Sequence, residues 1–198
     1  MIGIFGGSFD PPHLGHKEII LEFWRNFPQA EHLVIVPNYQ SPFKKEKATP
    51  PNYILEMLSL LLVDLDLHKS IVSRIEIDKR EKSYTIDTIR SISEAFPEQK
   101  ILLLIGRDNL PTFHLWKDYK DILLLADLVV FAREGEVTNS EQNIIPENKI
   151  YFIQNKLVKI SSSEIRKNIY TQELSHDLIP DSIVQYIKRN KLYPQIIN

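Results

Sequence analysis

Residues 1–16 read MIGIFGGSFDPPHLGH. Ile2 to Phe5 is a short apolar run halted by Gly6-Gly7, the pattern of a buried strand. Beyond two prolines, HLGHKEIILEFWRNF (13–27) carries Ile19, Ile20, Phe23, Trp24 and Phe27 at helical spacing and stops before Pro28. A strand passing through glycines into a helix offers backbone N–H groups and the positive end of a helix dipole together, a setting that favours an anion. His13 and His16, three apart at the helix start, share one face and can donate to one oxyanion, while Gly15 keeps the approach open and Ser8 adds a hydroxyl. Each feature alone has a plainer meaning, since glycine turns follow many strands and single histidines often cap helices. Zinc ligation by the histidine pair lacks an obvious third ligand nearby. The stretch fits neither G-x-G-x-x-G nor G-x-x-x-x-G-K-[ST], so the dinucleotide fingerprint and the P-loop are both excluded.

Further along, HLVIVPN (32–38) reads as a strand and NYQSPFKKEKATPPN (38–52) as an exposed loop. YILEMLSLLLVDL (53–65) is helical, and VSRIEID (72–78) alternates like a strand. SYTIDTIRSISEAF (83–96) is a capped helix, KILLLIG (100–106) a central strand, LWKDYKDILLLA (115–126) a helix and DLVVFARE (127–134) a strand. Residues 135–148 are polar and turn-like; IYFIQNKLVKI (150–160) contains a strand, SSSEIRKNIY (161–170) opens a helix, and SIVQYIKRNKLY (182–193) is a final helix. Strands alternating with helices predict an α/β fold: a Rossmann-like, doubly wound parallel sheet with helices on both faces and a C-terminal helical segment, one domain over 1–198. Such sheets bind ligands at strand carboxyl ends near the reversal of strand order, which would place Gly6-Gly7 and Gly106 on one rim.

Composition narrows the function classes. The chain has 198 residues, 43% hydrophobic and 25% charged, with no cysteine, which rules out disulfides and thiolate metal sites. Twenty-four basic against 26 acidic side chains give a net charge of −2, so no global positive field draws in nucleic acid. The lysines of the 44–47 run read as a solvated loop, and as a cover that orders with substrate, rather than as an RNA site. With no apolar stretch near membrane-spanning length and no signal-peptide pattern, a cytoplasmic protein without a membrane partner is expected.

GGSFDPPHLGH (6–16) resembles the signature of the nucleotidyltransferase superfamily with a (His/Thr)-x-Gly-His motif, and ISSSEIR (160–166) resembles its second signature, Ile-Ser-Ser-(Ser/Thr)-x-x-Arg. Within that superfamily the chain is most similar to the bacterial nicotinate-nucleotide adenylyltransferases. SYTIDT (83–88), IGRDNLPTFHLW (105–116), Ala132-Arg133 and YIKRNKLY (186–193) carry the likeness along nearly the whole chain. The resemblance implies that ATP and nicotinate mononucleotide give deamido-NAD and pyrophosphate, by direct attack of the mononucleotide phosphate on the α-phosphorus. A phosphate is already a nucleophile, so alignment and charge stabilisation suffice. His13 and His16 would stabilise the transferring group. Gly7, Ser8, Phe9, Gly106, Asp108, Ser161, Ser162, Ser163 and Arg166 would surround ATP, with Mg²⁺ carried on its phosphates and no protein ligand for it evident. Lys44, Tyr84, Thr85, Trp116, Lys117 and Arg133 would bind the mononucleotide: Trp116 stacks on the pyridine ring, Thr85 and main-chain amides face its carboxylate, and Arg133 holds its phosphate.

Several of these residues also carry structural readings: Asp108 as a helix cap, Trp116 as core, Arg133 as a solvated strand end, and Ser161 to Ser163 as a plain N-cap. Arg166, read as first-turn, would oppose the helix dipole unless an anion sat there. Ser41 and Phe43 stand where the family commonly has proline and histidine, so Lys44 or Lys45 would compensate; Glu136 follows AREG where Ala-Arg-Pro-Gly is usual. Nicotinamide mononucleotide as substrate, and a non-catalytic nucleotide binder of the same fold, are the alternatives.

Overall fold

The computed structural model describes residues 1–40, 49–65, 67–133, 145–155, 160–171 and 178–194. Among them run strands β1 (Ile2–Gly7), β2 (His32–Pro37), β3 (Ser70–Val72), β4 (Ile101–Gly106), β5 (Ala126–Arg133) and β6 (Ile150–Asn155). All pair in parallel, in the order β3-β2-β1-β4-β5-β6. The helices are α1 (Leu14–Asn26), α2 (Pro51–Asp64), α3 (Ile75–Lys79), α4 (Thr85–Ala95), α5 (Tyr119–Leu125), α6 (Ser162–Asn168) and α7 (Asp181–Arg189), with a 3₁₀ segment at Arg107–Leu115.

The expected doubly wound sheet is present, and strand periodicity shows why. Ile2, Ile4, Leu103 and Ile105 pack with Ile86 and Ile89 of α4 and Ile122 of α5. Their strand neighbours Phe5, Leu102 and Leu104 belong to the opposite layer, with Ile20 and Phe23 of α1, Leu58 of α2 and Ile183 of α7. Burial on both faces accounts for the unbroken Ile/Leu/Val runs. Gly3 sets the distance between layers: a Cβ there would lie 2.6 Å from the Phe23 ring and 2.9 Å from Leu33, so α1 rests on bare backbone.

The amino-terminal rim is held by charge. Asp127, 4% exposed, pairs with Lys100 at 2.6 Å and Lys149 at 3.0 Å. Burial pushes its carboxyl up, but the two ammonium groups outweigh that and hold it below the usual carboxylate range. Among the described residues, no helix is long and apolar enough to cross a membrane.

Three sequence expectations are corrected. VSRIEID is not a strand: β3 stops at Val72, the Ser73 hydroxyl accepts from the Ile75 amide at 3.3 Å, and α3 follows. Adjacent Glu76 and Ile77 are both buried, as a helix turn permits and a pleat does not, and the Thr88 hydroxyl donates to the Glu76 carboxylate at 2.6 Å. LWKDYKDILLLA is split, because Leu115 ends the 3₁₀ segment and Asp118 adopts a left-handed conformation (φ 50°) before α5 begins. The final helix ends at Arg189, not at Tyr193. Lys191 is left-handed (φ 52°), its amide bonds to the Lys188 carbonyl at 3.2 Å, and the Leu192 amide bonds to the Ile187 carbonyl at 3.0 Å. This pair of bonds is a Schellman termination, and helical periodicity passes through it unseen.

Candidate active site

Strand order reverses between β1 and β4, so the loops leaving their carboxyl ends diverge and open a crevice. Phe5 pairs with Leu104, which sets Gly7 and Gly106, each two residues on, at one level of the rim. A Cβ at Gly6 would meet nothing within 4 Å, so packing within the chain does not demand glycine there; close approach of a ligand would. A Cβ at Gly7 would lie 2.9 Å from the Phe9 ring, which folds back beneath the loop with Phe9 at φ 49°. Phe9 itself is corrected as a nucleotide contact through its side chain. Its ring is wholly buried, edge-on to Phe5 at 5.2 Å and 4.8 Å from the His16 ring, so it backs the histidine.

The two histidines build the start of α1. His13 is the N-cap: its Nδ1 accepts from the Gly15 amide at 3.1 Å, and Nδ1 of His16 accepts from the His13 amide at 3.1 Å. This is a capping box made of imidazoles. With Nδ1 an acceptor in both rings, each neutral ring carries its proton on Nε2, so the pair presents N–H donors rather than metal-binding lone pairs. The rings lie 3.8 Å apart, tilted by 32°. Burial pulls the His13 pKa down to about 4, which keeps this donor neutral at physiological pH. Gly15 has a packing reason besides the open approach expected, since a Cβ there would sit 3.0 Å from the His13 ring that caps its amide.

Helix α6 docks directly on this loop. Ser162 donates to the Pro11 carbonyl at 2.9 Å, and Arg166 donates to the Asp10 carbonyl at 2.5 Å and to the Ser163 hydroxyl at 3.1 Å. Ser161 is the N-cap, accepting from the Glu164 amide at 3.2 Å. Residues more than 150 positions apart therefore meet, as the two signature segments suggested. The dipole argument for Arg166 is corrected: it lies in the last turn of α6, where a cation is favoured, and reaches the loop by its length.

Beyond β4, Gly106 caps the 3₁₀ segment without a side-chain bond, so Asp108 is not the cap; its carboxylate accepts from Asn109 at 3.3 Å. The segment leads to Trp116, half-buried against Phe113 with ring centroids 5.3 Å apart. Lys117 follows, its ammonium 4.5 Å from the centre of the Tyr84 ring and 3.4 Å from Asp87. Tyr84 is the N-cap of α4 and makes no side-chain cap bond, so Thr85 opens a helix whose first turn carries no side-chain cap. Tyr84, Thr85, Trp116 and Lys117 are thus brought together. Lys44, Lys45, Ser41, Phe43 and Glu136 lie outside the described residues, as does the side chain of Arg133, whose backbone ends β5. Among the described residues no group of three His, Asp or Glu is placed to hold a metal.

A family model described as cytidylyltransferase-like matches residues 4–168. The chain belongs to the cytidylyltransferase-like family. Relatives within it include a Leptospira interrogans protein named "Probable nicotinate-nucleotide adenylyltransferase", 38% identical over 98% of this chain and 96% of that protein. A Chloroherpeton thalassium protein of the same name is 36% identical over 97% and 96%. Among solved structures, a Plasmodium falciparum nicotinic acid mononucleotide adenylyltransferase complexed with NaAD superposes with a TM-score of 0.79 at 20% identity, covering 97% of this chain and 96% of that one. The likeness to nicotinate-nucleotide adenylyltransferases seen in the motifs is therefore borne out across the family, and the fold with it.

Two residues that the motif reading gave no role also meet at the loop after β1. Asp10, buried, accepts from the Tyr193 hydroxyl at 2.7 Å, and Tyr193 belongs to the segment that helical periodicity assigned to the last helix. Both stood inside quoted motifs; only the pairing was hidden.

Proposed function

We propose that this chain joins ATP and nicotinate mononucleotide into deamido-NAD with release of pyrophosphate, as a cytoplasmic step of NAD biosynthesis. An oxygen of the mononucleotide phosphate attacks the α-phosphorus of ATP, and the bond from that phosphorus to the β-phosphate oxygen breaks, its electrons leaving with pyrophosphate. The observation that carries this reading is the docking of α6, through Ser162 and the Arg166 guanidinium, on the Asp10–Pro11 loop that leads from β1 into the His13–His16 pair. The guanidinium and the imidazole donors are positively polarised groups, as charge spread over phosphoryl oxygens requires.

In this reading His16 and His13 donate through Nε2 to the transferring phosphoryl group, and Arg166 takes the β- or γ-phosphate. Gly6 and Gly7 let the triphosphate approach the strand end, and Gly106 and Asp108 receive the adenosine ribose. Trp116 stacks on the pyridine ring while the amides opening α4, with Thr85, meet its carboxylate. Lys44 and Arg133 serve the mononucleotide phosphate. Mg²⁺ enters with ATP as part of the substrate and neutralises charge on its phosphates.

The test is pyrophosphate release from ATP with each mononucleotide, in wild type and His16→Ala. The expectation is faster turnover of the nicotinate form and a loss of about 10²-fold or more in the variant, the scale of one deleted oxyanion donor. Equal rates with the two mononucleotides would defeat the substrate assignment, and absence of turnover in the wild type would favour a non-catalytic binder.

A further inference from the structure

Asp10 is in an awkward position for an enzyme that holds a polyphosphate. It is 7% exposed, and its own carbonyl is already the acceptor for the Arg166 guanidinium at 2.5 Å. The side chain of a residue whose carbonyl meets a guanidinium is a candidate for the two-pronged ion pair those groups prefer. The Asp10 carboxylate is taken instead by the Tyr193 hydroxyl, which donates to Oδ1 at 2.7 Å.

The surroundings of Tyr193 fit this use. Its backbone is left-handed (φ 57°), a costly conformation for an aromatic residue and one that turns the chain back after the helix ends. The segment is fastened by Tyr170, whose hydroxyl donates to the Leu192 carbonyl at 2.6 Å, and by buried Leu192. Burial, followed by the charge of Asp10, pushes the Tyr193 phenol far up, so it remains a donor at any working pH.

We propose that Tyr193 is a positioning residue for adenylyl transfer: by holding the Asp10 carboxylate away from Arg166, it leaves the guanidinium's charge for the triphosphate. This rests on the reading that Arg166 meets ATP. Without the hydroxyl, Asp10 turns onto Arg166 and neutralises it, so ATP loses a partner while the pyridine side, built on Trp116 and Lys117, is untouched.

Steady-state kinetics and ATP-binding calorimetry on wild type, Tyr193→Phe, Asp10→Asn and the double variant test this, with thermal melting of each. Tyr193→Phe is expected to lower kcat/KM for ATP about tenfold or more, the scale of one charge-assisted hydrogen bond, with KM for nicotinate mononucleotide unchanged. Adding Asp10→Asn should return activity and ATP affinity toward the level of Asp10→Asn alone, because asparagine cannot neutralise Arg166. A purely structural tyrosine predicts no such rescue. Tyr193→Phe matching wild type, or a double variant no better than Tyr193→Phe, would overturn the proposal. A wild type that binds ATP without turning over would instead sink the proposed reaction, and the calorimetry would still judge Tyr193.

Discussion

Replacing His13 by asparagine separates titration from capping. Asparagine is a good N-cap and can accept from the Gly15 amide as Nδ1 of His13 does, but it carries no proton to gain. In the wild type the folded pKa of His13 is near 4 against an ordinary 6.5, so between these values the unfolded chain binds the extra proton and the folded chain does not. Its contribution is whole above 6.5 and falls as pH drops toward 4, where folded His13 must also accept charge and surrender its cap. Integrated from pH 7 to pH 5, the loss assigned to this one group is about 2 kcal/mol. Urea unfolding of both proteins at half-unit pH steps measures it, because the other titrating groups cancel in the difference. Wild type should lose stability relative to His13→Asn by that amount across the window, and the imidazole resonance of His13 should not shift until well below pH 5.5. Parallel stability curves for the two proteins would refute the buried, neutral assignment.

The glycines of β1 should behave oppositely. Gly3→Ala drives a methyl into the Phe23 ring and is expected to cost about 1–3 kcal/mol of stability in chemical denaturation. Gly6→Ala meets only open space; its stability should stay within about 0.5 kcal/mol of wild type while KM for ATP rises severalfold. Similar melting shifts for both would show that Gly6 serves packing. On the opposite rim, Asp127→Asn leaves Lys100 and Lys149 without their anion and should cost about 2 kcal/mol, measured by urea unfolding, with kcat unchanged. A fall in kcat without a fall in stability would mean that this triad reaches the site.

The alternation of strands and helices was legible because the apolar runs of β1, β2 and β4 end in glycine or proline, and amphipathic stretches follow at helical spacing. The His13–His16 pair was legible for the same reason, since a spacing of three at a helix start needs no tertiary information. Errors fell where local pattern and tertiary context disagree. Ile75 and Ile77 alternate as in a strand, yet Glu76 between them is buried against Thr88, a partner no window of sequence contains. Trp116 looked like the start of α5, but a left-handed aspartate divides them. Arg166 was placed one turn early, and so acquired a dipole argument that its true position reverses. The Asp10–Tyr193 bond spans 183 positions and could be found only in three dimensions.

That last distance bears on how the protein is made. Ser162, Arg166 and Tyr193 close on Pro11 and Asp10, so this loop waits for partners synthesised more than 150 residues later. A nascent chain can assemble β1 to β4 and bury much of their surface while the loop that follows β1 is still uncovered on one side. A chain interrupted before Ser162 leaves the Asp10–Pro11 loop without the helix that covers it, so such a fragment has the first strands of the sheet but not the closure that a finished copy possesses.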